Sequence, residues 1–420
     1  MNILLSAYAC LPNVGSEPGV GWKWSLALAR EHRLTVLTHR RFRDRIEAEL
    51  ERNPLPNIHF AYHDTPLLSV VPFNSFTALP KYFAWQLSVL GLARRLVREE
   101  QFDFALHLTM GTFRYPSWLG YLGIPFYFGP VGGGERAPLR LVRSLPLGER
   151  SFEWLRDMVI RSGKYDPLLW LGLSRASMIF AKTSETASAL PFGLGQRAVV
   201  SQEIGAPPGR TRVEPSRRVA GEPFRIMSAG RFQGWKGFHL TLLAAARLKA
   251  LGQCFELHLF GSGRLERELR SRVRLLGIQE QVHFRGVVPH EVILGEYQRM
   301  HAFLFPSLHD SSGNVVLEAL GNALPVICLD LGGPAEFVDG ECGRVVHVGR
   351  ATEEQAGAAL AEAMAGLMEN EDIRLGLAAG ALKKAGELSW ERQIGKVMAA
   401  IAADLAKQPD PHATIAGAGK

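Results

Sequence analysis

Short apolar runs that read as buried strands alternate with segments of helical period along almost the whole chain, and that alternation admits few architectures. Strands joined by helical crossovers pair in parallel, and a parallel sheet is covered by helices on both faces. Seven such runs fill the first half: NILLSAY, RLTVLTH, NIHFAYH, FDFALHL, IPFYFG, SMIFAKT and RAVVSQ. The pattern restarts with FRIMSAG and continues through CFELHLFG, QVHFRG, HAFLFPS and LPVICLD. Between the two series lies GAPPGRTRVEPSRRVAGEP, rich in Pro, Gly and Arg and without period. The boundary therefore falls there. The sequence predicts two parallel-sheet α/β domains, over 1–210 and 223–387, then a helix over 388–408 packing back towards the first domain and a disordered tail over 409–420. Two such domains facing each other leave a cleft at the carboxyl ends of their strands, where these folds bind ligands.

Length agrees, since 420 residues exceed what one ordinary core accommodates. The four cysteines, at 10, 254, 328 and 342, have no metal-ligand spacing and no secreted framework, so they read as reduced thiols of a cytoplasmic protein. The opening MNILLSAYAC lacks a basic leader region and its apolar run is short, which favours a first buried strand over a targeting segment. Charge is uneven. Residues 1–220 carry 27 Lys and Arg against 18 Asp and Glu, a net +9, whereas 221–420 carry 21 against 23, a net −2. A basic half suggests an anionic partner, either a membrane face or nucleic acid.

Residues 305–327, FPSLHDSSGNVVLEALGNALPVI, hold two carboxylates eight positions apart, Asp310 and Glu318, around a polar run containing Gly313. MHAFLFPS reads as a strand and turn, while Val316, Leu317 and Leu320 recur at helical spacing. The stretch is a strand–loop–helix elbow, with Asp310 in the loop and Glu318 in the first turns of the helix. The amides from Ser312 to Val315 point outward there, and a helix N-terminus is an anion site. Phosphate on the amides and sugar hydroxyls on the carboxylates describe a nucleotide-sugar. Taken alone, the pair also reads as a helix cap and a solvated helix residue.

Four other segments follow strands. In SAGRFQGWKG, residues 228–237, Arg231 and Lys236 stand five apart on a turn after Gly230, where two cations grip a diphosphate or simply form a basic surface turn. In LPNVGSEPGVGW, residues 11–22, Gly15, Gly19 and Gly21 allow close backbone approach, and Ser16 or Glu17 caps a helix with Pro18 in its first turn. The spacing is not G-x-G-x-x-G, so no dinucleotide fingerprint is supported. Gly261 and Gly263 in LFGSGRLERELR form a common strand-to-helix turn. His107, in FALHLTMGTFRYPS, lies at the carboxyl end of a strand facing the expected cleft, as an acid, a base, a phosphate partner or a structural residue. The GGG of YFGPVGGGERAP lets a substrate approach the backbone or is a mobile loop.

Together, GRFQGWKG and HDSSGNVVLEALGNALPVICLDLGGPAEFV resemble the signature region of the retaining, nucleotide-sugar-dependent glycosyltransferases of family 4, which have the GT-B fold of two Rossmann-like domains. GSEPGVGW, HLTMGTFRYPS and GPVGGG resemble a bacterial branch associated with surface polysaccharide assembly. The resemblance implies that Arg231 and Lys236 bind the donor diphosphate, with Gly230 and Gly261 in the donor-binding loops. It implies that Glu318, the second glutamate of E-x7-E, contacts the nucleotide ribose. Asp310 takes the place of the first glutamate, beside the donor sugar, and Gly313, Asn314 and Val315 supply the amides between. Gly15 corresponds to the glycine loop near the phosphates, and His107 falls near the family's active-site histidine, out of register with its H-x-H pattern. Asp310 departs from the family pattern by one methylene, so its sugar contact shifts or passes through water.

The reaction implied is transfer of a hexose-type sugar from a nucleotide diphosphate sugar to a saccharide acceptor, lipid-linked, in exopolysaccharide, capsule or O-antigen synthesis. Retention is expected, with no cofactor and no divalent metal, the leaving diphosphate being stabilised by Arg231, Lys236 and loop amides. ALPKYFAWQLSVLGLARRLVREE and RAPLRLVRSLPLGERSFEWLRDMVIRSGK form either a basic amphipathic face on the inner, anionic membrane surface or ordinary helices on the first sheet. Two other classes compete. A non-hydrolysing nucleotide-sugar epimerase shares the two-domain cleft but has no acceptor site. A nucleic-acid-binding protein would use the basic half, yet no nucleic-acid module is recognisable and the basic stretches are interleaved with apolar ones.

Overall fold

A computed structural model describes residues 1–65, 78–207, 214–219 and 221–407, so the tail predicted over 409–420 and much of the Pro/Gly/Arg-rich stretch lie outside the described residues. The chain divides into two compact units, one of residues 1–134, 162–203 and 391–420, the other of 135–161 and 204–390.

The first unit is built on seven parallel strands: β1 (Asn2–Ser6), β2 (Arg33–His39), β3 (Ile58–His63), β4 (Phe104–His107), β5 (Phe126–Val131), β6 (Met178–Ala181) and β7 (Ala198–Val200). Their order is β3-β2-β1-β4-β5-β6-β7. The second unit repeats the plan with β8 (Phe224–Ala229), β9 (Phe255–Phe260), β10 (Val282–Gly286), β11 (Ala302–Phe305), β12 (Val326–Leu329) and β13 (Gly343–Val346), in the order β10-β9-β8-β11-β12-β13. Each chain segment starts in mid-sheet, winds outward, then crosses back to the other side. The reversal leaves a crevice at the carboxyl ends of β1 and β4 in one sheet and of β8 and β11 in the other.

The helices are α1 (Ser16–Ala29), α2 (Arg43–Arg52), α3 (Ala78–Glu99), α4 (Leu147–Gly163), α5 (Pro167–Leu173), α6 (Ser184–Ala189), α7 (Phe238–Ala250), α8 (Glu266–Leu275), α9 (His290–Tyr297), α10 (Asn314–Gly321), α11 (Glu353–Glu369), α12 (Glu371–Glu387) and α13 (Trp390–Leu405). In the second unit α7 lies against α11, where Gly357 permits close approach because a Cβ there would press on Leu243 Cβ. Phe224, Ile226, Leu257, Leu259, Leu304 and Ile327 fill the layer between sheet and helices. In the first unit α13 is tied to β5 by the Tyr127 hydroxyl, which donates to Asp404 Oδ2 at 2.8 Å.

Two elements differ from the sequence reading. Strand β13, sequence GRVV, is missed because an edge strand that buries only Gly343 and Val346 has neither a long apolar run nor clean alternation. Residues 135–161, placed within 1–210 by the sequence, pack in the second unit. Ala137, Leu141, Val142 and Leu145 enter its apolar core, an attachment that strand and helix periodicity does not encode.

Gly237 is left-handed, φ 73°, at the start of α7, and a Cβ there would collide with the Pro306 carbonyl oxygen. Gly237→Ala is expected to destabilise the protein by about 1–3 kcal/mol. Gly366→Ala, on the exposed side of the last turn of α11 where a Cβ meets nothing within 4 Å, is expected to stabilise it by about 0.5–1 kcal/mol. Thermal melts of the two variants check both signs.

Candidate functional site

In the second unit the crevice is framed by the loop after β8, residues 230–237, and the loop after β11, residues 306–313. The first loop stays close to the sheet. Gly230 donates to the Phe260 carbonyl at 3.0 Å, and a Cβ on Gly261, φ 127°, would collide with the Gly230 carbonyl oxygen. The chain then turns through Gly234–Lys236 and enters α7. The second loop leaves β11 through Pro306 and ends at Gly313, φ 71°, the residue that caps α10.

Lys236 and Asp310 join the loops. Their side chains form an ion pair and are only 14% and 15% exposed. The Lys236 ammonium also lies 4.2 Å from the centre of the Trp235 ring and 5.1 Å from that of Phe305, an orientation that favours the cation. Burial alone pushes the Asp310 carboxyl up. The Lys236 charge, with the Ser312 and Gly313 amides donating to Oδ1 at 3.4 and 3.2 Å, overcomes it and holds the carboxyl below the usual carboxylate range. Two of the amides expected to point outward are thus turned onto Asp310. The next two, of Asn314 and Val315, open α10 and have no acceptor within the helix by its geometry. Glu318, one turn on, accepts from the Tyr297 hydroxyl at 3.2 Å, and burial followed by the Glu318 charge pushes that phenol well up. Arg231 is exposed. Arg231, Lys236, Asp310, Glu318, Gly230, Gly261, Gly313, Asn314 and Val315 all therefore belong to the two loops of this crevice, their flanking turns and α10. The chemistry on offer is a pair of cations and helix amides for an anion, beside two carboxylates able to accept from hydroxyls.

Sequence reasoning passed over a supporting layer. Glu149 on α4 is buried, accepts from the Gly234 amide at 3.1 Å and pairs with Arg264. Glu153, one turn along, lies 3.1 Å from His309 Nε2, and the His309 ring stacks on Trp235 with centroids 4.8 Å apart. The four-residue spacing of Glu149, Glu153 and Asp157 was visible, but carboxylates at that spacing ordinarily mark a solvated helix face.

The first unit places its candidates differently. Gly15 caps α1 at φ −86°, and a Cβ there would meet nothing within 4 Å, so neither space nor conformation demands glycine. Gly19 and Gly21 are the constrained pair, since Cβ atoms there would collide with the Val14 and Ala9 carbonyl oxygens. His107 does not face a crevice. It is 1% exposed, with Nδ1 3.0 Å from Ser6 Oγ and Nε2 2.9 Å from the Tyr82 hydroxyl, and its ring stacks on Phe128. Burial pushes its pKa down to about 3, so the ring is neutral near pH 7. Both nitrogens are engaged by core residues, which makes it a core histidine in this arrangement.

Residues 210–384 match the family model described as Glycosyl transferases group 1. A D-inositol 3-phosphate glycosyltransferase of Corynebacterium urealyticum is 33% identical over 197 residues, covering 44% of this chain and 45% of the relative. The chain spans about half the length of the curated relatives it matches. Among solved structures, the apo form of the lipopolysaccharide outer core galactosyltransferase WaaB superposes with a TM-score of 0.62 at 14% identity, over 96% of this chain and 99% of that one. The fold is GT-B. Anabaena HepE, determined in complex with UDP-glucose, superposes with a TM-score of 0.56 at 16% identity, over 96% and 99% of the two chains. Among the described residues no group of three or more His, Cys, Asp or Glu is arranged to hold a metal ion.

The Asp310 environment makes a pH prediction. Because Lys236 depresses the folded-state pKa, the pair contributes stability above the unfolded carboxylate pKa, and that contribution is lost as pH falls through the lower folded value. In Lys236→Ala burial acts unopposed by that charge and destabilises ionised Asp310. The loss of melting temperature relative to wild type is therefore expected to be greatest at neutral pH and to narrow below about pH 4. Paired melts from pH 7 downward test the sign.

Proposed function

We propose that the protein is a retaining glycosyltransferase that moves a hexose-type sugar from a nucleotide diphosphate sugar to a saccharide acceptor, lipid-linked, in the assembly of a surface polysaccharide. The observation that carries this reading is the Lys236–Asp310 pair, which sets a cation for phosphate directly beside a carboxylate for sugar hydroxyls at the switch point of the second sheet. The match of residues 210–384 to Glycosyl transferases group 1 supports the class, the neighbour described with UDP-glucose supports the donor chemistry, and the lipopolysaccharide galactosyltransferase supports the kind of product.

In this reading Arg231, Lys236 and the first amides of α10 receive the diphosphate. Lys236 carries three N–H donors, so it can hold phosphate and Asp310 together. Glu318, fixed by Tyr297, accepts from the ribose, and Asp310 accepts from the sugar. The bond from the anomeric carbon to the diphosphate breaks with both electrons passing to phosphate oxygen. The acceptor hydroxyl then bonds to that carbon from the same face, and its proton goes to the departing diphosphate. Negative charge grows on the leaving group, where Arg231, Lys236 and the helix amides stabilise it electrostatically without a divalent ion.

The acceptor side rests on the basic first half. On α3, Phe83 and Leu87 are exposed on the helix that carries exposed Arg94, Arg95 and Arg98. Among the described residues no helix is long and apolar enough to cross a membrane. A peripheral contact with the anionic inner membrane face fits that combination, and it places a lipid-linked acceptor within reach.

A donor screen tests the reading. With EDTA present, one of UDP-, GDP- or ADP-sugars is expected to raise the melting temperature, by about 2.7 kcal/mol of stabilisation at a hundredfold excess over Kd, and Lys236→Ala to abolish the shift. If no nucleotide-sugar shifts the melt, or if the variant responds as wild type does, the donor assignment fails. For the membrane contact, sedimentation with anionic vesicles is expected to exceed that with zwitterionic ones and to fall on raising salt. Equal sedimentation would remove it.

A further inference from the structure

Helix α4 is inverted relative to an ordinary surface helix. Glu149, Glu153 and Asp157, at four-residue spacing, are buried, whereas Phe152, Trp154, Leu155 and Met158 are exposed. Buried carboxylates are costly unless each has a partner, and the partners here sort by position along the helix. Asp157 pairs with Arg136 and Arg161 on its own segment. Glu149 Oε2 accepts from the Gly234 amide at 3.1 Å and from Arg264 at 2.8 Å. Glu153 Oε1 meets His309 Nε2 at 3.1 Å. Gly234 stands two residues before Lys236, and His309 one residue before Asp310. Adjacent turns of one helix therefore hold the two loops that carry the ion pair.

We propose that Glu149 and Glu153 are positioning residues, which fix the separation of the Lys236 and Asp310 loops for a nucleoside diphosphate donor. The inference rests on the donor reading of this site. Four residues of helix advance about 6 Å, a rigid spacer between the two anchor points. The turn sits directly on the helix, since a Cβ at Gly234 would fall 2.7 Å from Glu149 Oε2 and 2.8 Å from Leu145 Cδ1. The stacked rings of His309 and Trp235 add a second tie between the loops. Glu153 Oε2 is buried without a hydrogen-bond partner among the described residues. A carboxylate used only for packing would be better replaced there by an apolar side chain, whereas one that orients His309 is needed as it stands.

The test uses the full chain with Glu149→Ala, Glu153→Ala, Glu153→Gln and Asp157→Asn, read by amide hydrogen exchange and by calorimetric titration with UDP, GDP and ADP. Glu149→Ala is expected to speed exchange at Gly234 at least about tenfold, as loss of a hydrogen bond to a charged acceptor implies. Because that variant also frees Arg264, it is judged by exchange alone. Glu153→Ala is expected to speed exchange over residues 309–313 and to weaken the preferred nucleotide about tenfold, with β8 and β11 unchanged. Glu153→Gln keeps an acceptor for His309 and is expected to restore most of both losses. Asp157→Asn, on the same face but away from the loops, is expected to move neither. Unchanged loop exchange, nucleotide affinity unaltered in Glu153→Ala, or equal effects from Asp157→Asn would overturn the proposal. If wild type binds none of the three nucleotides, the donor reading fails, while loop exchange still decides whether α4 holds the loops.

Discussion

Lys236 and Asp310 are both mostly buried, and neither is tolerable there without the other. A buried ion pair gains little over an apolar contact, yet removing one partner leaves an uncompensated charge, at about 3–5 kcal/mol. The pair is therefore a constraint on the loops more than a source of stability. It requires the turn after β8 and the turn after β11 to be built together, because the two charges reach each other only when both loops have their final shape. Backbone approach supports the same geometry. Gly261 lies where only glycine can pass the Gly230 carbonyl, and Gly237 where only glycine can pass that of Pro306.

That constraint also bears on binding. In the proposed donor reading, a cation already paired with a carboxylate presents a nearly neutral unit to an incoming diphosphate, so the unused N–H directions of Lys236, the exposed Arg231 and the first amides of α10 share its attraction. Asp310 in turn spends one oxygen on the amides of Ser312 and Gly313 and the other on Lys236. Its shorter side chain suits that role, since a carboxylate this close to its own helix cap can accept from both amides as an Asx turn does. The cap reading and the sugar-contact reading of Asp310 are therefore not exclusive. The cap orients the carboxylate, and the remaining lone pairs of its oxygens are the ones available to a hydroxyl.

Much of this was legible in the sequence, and the reasons are local. Among the described residues, twelve of the thirteen strands were readable as short apolar runs, most plainly where a strand buried on both faces is written as a continuous stretch of Val, Ile, Leu and Phe. Arg231, Lys236, Asp310 and Glu318 stood out because their loops follow strands and precede helices, which is where the sheet rule looks for ligands. What escaped notice depends on long-range packing. Glu149 lies on a helix whose apolar residues would ordinarily turn inward, whereas here its carboxylates do and Phe152, Trp154, Leu155 and Met158 stay exposed. The attachment of 135–161 to the second unit has the same origin. Leu141, Val142 and Leu145 join an apolar core that also holds Phe238 and Leu240, far along the chain.

His107 shows where the strand-end rule has to be sharpened. It is the last residue of β4 and still sits in the ladder, opposite Ser6 on one side and Phe128 on the other. A side chain at such a position projects into the layer between sheet and helices, and here it meets Tyr82 and Gln86 of α3. Asp310 lies five residues beyond the end of β11, past Pro306, where the backbone has left the sheet. Each follows the fourth strand of its own sheet. They differ in that strand pairing holds His107 in the ladder, whereas Asp310 lies outside it. Candidate residues in such folds are better sought a turn beyond the final strand pair than at it, because pairing fixes the direction of the side chain before any ligand can influence it.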